Sequence, residues 1–196
     1  MDVEAGASVL SCCPELPRHL WTVDEYHRMG EVGLLDADAR VELIEGEIVE
    51  MAPIGDAHAA ISNQLTRLLV LAVGERGIVA VGNPVRLSLH SEPQPDFSVL
   101  RPRPDYATRG PRPEDIMLAV EVSDTTLRRD RRVKLALYAG AGIPEFWIVN
   151  VEVREVEIYR APSGDRYASV DRNGPGSVAT IEALPGVTIA ISEILG

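Results

Sequence analysis

The stretch IMLAVEVSDTTLRRDRRVKLALYAGAGIPEFWIVN, residues 116–150, decides the fold. IMLAVEVS (116–123) is apolar on both faces except at Glu121, the pattern of a central strand covered on both sides. FWIVN (146–150) is a second apolar strand. Between them a helix is predicted over about 125–139, ended by the glycines at 140 and 142.

Placed on a helix at about 100° per residue, Leu127, Leu137 and Tyr138 share one arc, with Val133 and Leu135 at its flanks. Lys134 falls at the centre of that arc, with Asp130 beside it. Arg128, Arg129 and Arg132 fall on or toward the opposite side and read as a solvated face. Lys134 is also the only lysine of the chain, which otherwise writes its positive side chains as arginine.

An inward lysine must snorkel out, lose its charge or meet a carboxylate, because an unpaired buried ammonium costs several kcal/mol. Glu121 is the natural partner. It is the one charge in the preceding strand and shares a face there with Ala119 and Ser123, opposite Val120 and Val122. The pair can be a structural ion pair and nothing more. Asp96, in the strand candidate PDFSVL (95–100), is by itself a common turn residue. Together the three make two carboxylates and a lysine on neighbouring elements.

Outward from this core, a capping box at Thr22-Val23-Asp24-Glu25 predicts a helix over 22–30. RVELIEGEIVEM (40–51) reads as a hairpin about Glu45-Gly46, and residues 58–75 as a helix ended by Gly74 and Gly77. GIVAV and PVRLSLH (84–90) are strand candidates, as are EVEIYR (155–160), DRYASV (165–170) and a weak segment at 178–181. The expectation is an α/β plan (α+β, mixed sheet) with helices on the sheet faces, one domain over 20–196 and a disordered leader over 1–19.

Composition sets the limits. The 196 residues suit one domain, and no apolar run reaches the roughly 18 residues of a membrane span. Residues 1–13 lack the basic start of a secretory signal, so a cytoplasmic protein is expected, with no membrane partner. Cys12 and Cys13 are adjacent and have no other cysteine to pair with. A net charge of −11 argues against a generic basic nucleic-acid binder, yet Arg128, Arg129, Arg131, Arg132 and Lys134 crowd one helix. Walker and dinucleotide-binding glycine patterns are missing.

The order Pro95-Asp96, Glu121-Val122-Ser123, Asp130, Lys134, Tyr138, Gly142 and FWIVN resembles the Uma-two family of endonucleases, within the PD-(D/E)XK superfamily. WTVDEYHRM, VELIEGEIVEMAP and His58 extend the likeness from about Trp21 to the end. The resemblance implies a restriction-endonuclease-like core. It also implies metal-dependent hydrolysis of phosphodiester bonds in DNA, with Asp96, Glu121 and Lys134 catalytic. Asp96, Glu121 and the Val122 carbonyl would hold Mg²⁺ or Mn²⁺, hard cations that take oxygen ligands. The superfamily places its lysine two residues after the second acid, where this chain has Ser123; the resemblance implies that Lys134 takes over. Asn150 and Asp124 depart from the usual aspartate and proline without touching that chemistry.

Glu42 and His58 match family positions and are possible further site residues, although composition alone makes Glu42 an exposed strand residue and His58 a surface or capping one. Arg128, Arg129, Arg131 and Arg132 could meet DNA phosphates. A homodimer is expected, since two-strand cutting is often arranged by two-fold symmetry. Two other readings compete: a non-catalytic interaction or regulatory module that keeps the nuclease fold, and a two-carboxylate hydrolase such as a glycosidase. The latter leaves Lys134 without a role.

Overall fold

The structure is a computed structural model that describes residues 17–36 and 38–196. Of the expected leader, residues 1–16, with Cys12 and Cys13, lie outside the described residues. Arg18 already pairs with Glu47 at 3.2 Å.

A six-stranded mixed sheet forms the centre, in the order β3 (Ile78–Val81), β4 (Phe97–Leu100), β5 (Ile116–Ser123), β6 (Glu145–Asn150), β7 (Glu155–Ser163) and β8 (Arg166–Asn173). Only β5 and β6 run parallel; the other neighbours are antiparallel. The parallel pair needs a crossover, and the helix over 127–140 supplies it. All residues of β5 and β6 are buried, as a strand covered on both faces must be.

The alternation read for β5 holds. Ala119 packs with Phe146, Ile148, Tyr159 and Tyr138 on the face under the 127–140 helix. Val120 and Val122 pack with Trp147 and with Leu65, Leu69 and Val73 of α2 (Asp56–Val73) on the other. Across the helix-covered face Glu121, Ile148, Glu157 and Arg172 are successive register partners, so two glutamates sit in one row.

The first helix, α1 (Val23–Glu31), begins on the predicted capping box, with Glu25 N–H donating to Thr22 Oγ1 at 3.2 Å. β1 (Val41–Ile44) and β2 (Glu47–Glu50) form the predicted hairpin, whose turn residues Glu45 and Gly46 have φ of 50° and 82°. Gly46 is needed twice over there, because a Cβ would also stand 2.6 Å from that of Leu20.

The expected strand over 84–90 is not one. Val85 and Leu87 are buried, which explains the alternation. Their N–H groups, however, donate to Pro93 and Ser91 carbonyls just downstream, so the segment closes on itself. The C-terminal pair β9 (Val178–Thr180) and β10 (Thr188–Ala190) and a closing helix, Ile191–Leu195, add apolar side chains to the α2 face. Among the described residues no helix is long and apolar enough to cross a membrane.

Candidate active site

The helix over 127–140 is not regular. Between Leu127–Arg129 and Leu135–Gly140 the turn Asp130–Lys134 is widened, and Leu135 N–H reaches the Asp130 carbonyl five residues back. Such widened turns favour functional positions. Here Asp130, Lys134 and Tyr138 all end up buried against the sheet. Asp130 accepts from Ser123 Oγ and Thr126 Oγ1, both at 2.6 Å, and so ties the start of the helix to the end of β5.

Lys134 is 2% exposed and meets two carboxylates: Glu42 Oε2 at 2.5 Å and Glu121 Oε1 at 3.2 Å. Burial works against its charge, but the two glutamates outweigh that and hold its pKa above the ordinary lysine value. The expected pair with Glu121 is therefore present, and a stronger one with Glu42 accompanies it. Glu42, on β1, is 1% exposed rather than solvated. Its carboxylate also binds Arg129 and accepts the Gln94 N–H at 3.1 Å.

Glu121 is the unusual group. Burial pushes its pKa up to about 8, a rise that Lys134 opposes and nearby Asp96 adds to. Its Oε1 accepts the Tyr138 hydroxyl at 2.9 Å as well as the Lys134 ammonium. Among the described residues its Oε2 has no hydrogen-bond partner, and the side chain borders an open cleft.

Asp96 stands one residue before the Phe97–Val120 register pair, at the same end of the sheet as Glu121. One carboxylate oxygen accepts the Val122 N–H at 2.7 Å. The other is 3.3 Å from His58 Nε2. The hydrogen bond with Asp96, against some loss from burial, raises the His58 pKa, and the Val122 backbone adds to the rise. Asp96, Glu121, Val122, Lys134, Glu42 and His58 all line one cavity of about 130 Å³. Asp124, read as remote from the chemistry, lines it too and acts on the His58 charge.

The helix arginines divide. Arg128 and Arg132 are exposed and have no ion-pair partner among the described residues. Arg129 is bound to Glu42 and to the Glu50 carbonyl, and Arg131 forks onto Glu157. Of the three arginines that the wheel placed on the solvated face, Arg128 and Arg132 are exposed, whereas Arg129 reaches back to a buried acid; Arg131, which the wheel had not placed there, does the same. Sequence reasoning missed that use of Arg129 and Arg131, the exposed Arg40 at the cleft, and any role for Tyr138. The motif order contained Tyr138, and its place one turn beyond Lys134 was the available signal.

The donor set fits a hard divalent cation. Two carboxylates face the same cavity, one with a free oxygen and a pKa that burial has raised, and a cation beside it would restore the charged form. Among the described residues no group of three or more His, Cys, Asp and Glu forms an ion cage. Two carboxylates with room for water are what Mg²⁺ commonly takes.

A family model, Uma2, described as "Putative restriction endonuclease", matches residues 23–192. No curated protein matches the chain. Among solved structures, a crystal structure from Anabaena variabilis ATCC 29413, described as a "putative nuclease belonging to DUF820", superposes with a TM-score of 0.66. The identity is 15%, over 89% of this chain and 97% of that one, so the likeness is one of fold.

Proposed function

The chain belongs to the Uma2 family, and from that premise we propose that it is a metal-dependent endonuclease hydrolysing phosphodiester bonds in DNA. Glu121 carries the reading. It is a buried carboxylate beside a second one, its lysine lies nearer to Glu42, and one of its oxygens is open to the cleft.

Asp96, Glu121 and the Val122 carbonyl would hold Mg²⁺ or Mn²⁺. Such an ion, when bound, supplies an acidified water and a counter-charge for the phosphate. Lys134 keeps its proton between two carboxylates, so its work is electrostatic: it orients the attacking water and stabilises charge growing on the phosphoryl oxygens. Glu42 fixes the ammonium in that place. Arginine would serve poorly, being larger and forked where a compact charge is wanted.

The cavity of about 130 Å³ is lined by the charged or ionisable side chains of Glu42, His58, Asp96, Glu121 and Lys134, which suit a metal ion and a phosphate rather than a base. The substrate therefore offers its backbone at the mouth. His58 borders the cavity and is the second candidate for a phosphate contact. Arg128 and Arg132 are free to meet flanking phosphates, while Arg129 and Arg131 brace the site from within. Cutting both strands with one such site per chain calls for a homodimer.

The test is Mn²⁺ binding by calorimetry beside a plasmid-nicking assay, on the wild type, Glu121→Gln and Lys134→Met. The expected result is metal binding and nicking by the wild type. Glu121→Gln loses the metal, and Lys134→Met keeps it but nicks at least about 100-fold more slowly. A wild type that binds no divalent ion and nicks nothing would leave a non-catalytic module with a nuclease fold.

A further inference from the structure

The Tyr138 side chain is fully buried, and a buried hydroxyl must find an acceptor. It finds Glu121 Oε1 at 2.9 Å, the same oxygen that takes Lys134 at 3.2 Å. Two donors on one oxygen fix the plane of the carboxylate and leave Oε2 for the cleft. Lys134 alone would hold it less firmly, because its shorter contact is to Glu42 at 2.5 Å. The terminal torsion of a glutamate is broad, so without the phenol the plane of the carboxylate could turn and carry Oε2 away from the cleft.

The phenol cannot swing away. Its ring lies 4.9 Å from Phe146, within the cluster that includes Ile143, Ile148 and Tyr159. Lys134 and Tyr138, four residues apart on one helix, share its sheet-facing side and are both buried.

We propose that Tyr138 is a positioning residue that holds Glu121 as a one-oxygen ligand turned toward the cleft, and thereby sets the affinity of the metal site. It touches neither water nor phosphate. The proposal rests on the metal-dependent reading above. A tyrosine that only helps to satisfy a closed acid has its example in the same sheet: the Tyr159 hydroxyl donates to Glu157 at 2.5 Å, but there Arg131 engages both oxygens and none is left to present.

The experiment is calorimetric Mn²⁺ titration of the full chain, without DNA, for the wild type, Tyr138→Phe and Tyr159→Phe, with thermal unfolding in chelator. Removing an outer-shell partner commonly weakens metal affinity about 10–100-fold, and Tyr138→Phe is expected to fall in that range while Tyr159→Phe binds as the wild type does. Nicking by Tyr138→Phe should return toward the wild-type rate as Mn²⁺ is raised to saturation, a rescue that lost packing would not show. Wild-type affinity in Tyr138→Phe, whatever its unfolding temperature, overturns the proposal and leaves the metal site standing. Lost nicking that excess Mn²⁺ does not restore also overturns it. A wild type that binds no Mn²⁺ brings down the metal reading and this proposal together.

Discussion

Glu121 on β5 and Glu157 on β7 flank Ile148 in one row of the sheet, and both are buried under the same helix. Each accepts from a tyrosine hydroxyl and meets a cation of that helix. Their electrostatics are nevertheless opposite. Burial raises the pKa of Glu157, but Arg131 and Tyr159 outweigh it and leave that carboxyl below its ordinary value. For Glu121 burial wins, and the pKa rises to about 8. Asp96, Asp130 and Glu42 add to the rise at Glu121, and the rest of the difference lies in the cation. A guanidinium forks across both oxygens and saturates the carboxylate. A lysine shared between two acids covers one oxygen and leaves the other wanting a partner. The first arrangement closes a core; the second leaves one carboxylate oxygen without a hydrogen-bond partner among the described residues.

Exchanging the two acids for their amides should break the comparison most visibly. Glu121→Gln is expected to lose Mn²⁺ binding and nicking altogether, and to be at least as stable as the wild type at pH 8, since it removes a charge that burial disfavours. Glu157→Gln should bind Mn²⁺ normally and lose about 1–3 kcal/mol of stability, the worth of charge-assisted hydrogen bonds. Denaturant titrations beside calorimetry read both. Equal metal loss in the two variants would erase the distinction.

Lys134→Arg sharpens it by making the open site resemble the closed one. A fork in place of the ammonium would cover the free Glu121 oxygen or crowd the cleft, in a place where the lysine is already 2% exposed. Mn²⁺ affinity should drop, and nicking should fall by about 100-fold or more. Full activity would show that Lys134 acts as a plain positive charge.

The two glutamates should also respond oppositely to pH in metal-free protein. Glu121 has a folded pKa above its unfolded one, so between about pH 4.5 and 8 the native state keeps a proton that the unfolded chain releases. Stability therefore falls as pH rises through that window, by a few kcal/mol at about 1.4 kcal/mol per pKa unit. His58, also raised, stabilises below its ordinary value of 6.5 and loses that contribution as pH rises through its folded pKa. Glu157 is lowered, so its stabilisation is present above about 4.5 and is lost as pH falls through its folded pKa. Chelator-treated unfolding curves across pH check this, and Glu121→Gln should flatten the neutral limb.

Much of the open site was legible because it is local. Glu121, Lys134 and Tyr138 belong to one strand and the helix that follows it, and two periodicities suffice to aim them at each other. Glu42 was reached only through the family resemblance and not from the residues themselves, because its contact with Lys134 spans 92 residues and depends on where the hairpin docks. The closed site was missed for another reason. A helical wheel gives a direction but not a partner, and Arg131 binds a fully buried acid 26 residues on, on a strand whose place in the sheet the helix period does not give. The false strand over 84–90 arose because two buried side chains at alternate positions look alike in a strand and in a self-closing turn.

The smallest expected effect separates arginines that the sequence could not distinguish. If Arg128 lies along the substrate backbone, Arg128→Ala should lower the slope of log affinity against log salt by about one for DNA binding, with stability unchanged. Ca²⁺ in place of the active ion would allow binding to be followed without cleavage. Arg131→Ala should leave that slope alone and lower stability, because Glu157 would keep its burial and lose its fork. A slope change in Arg131→Ala, or none in Arg128→Ala, would move the substrate path off the exposed side of this helix. The division into a free pair and a braced pair would then describe packing alone.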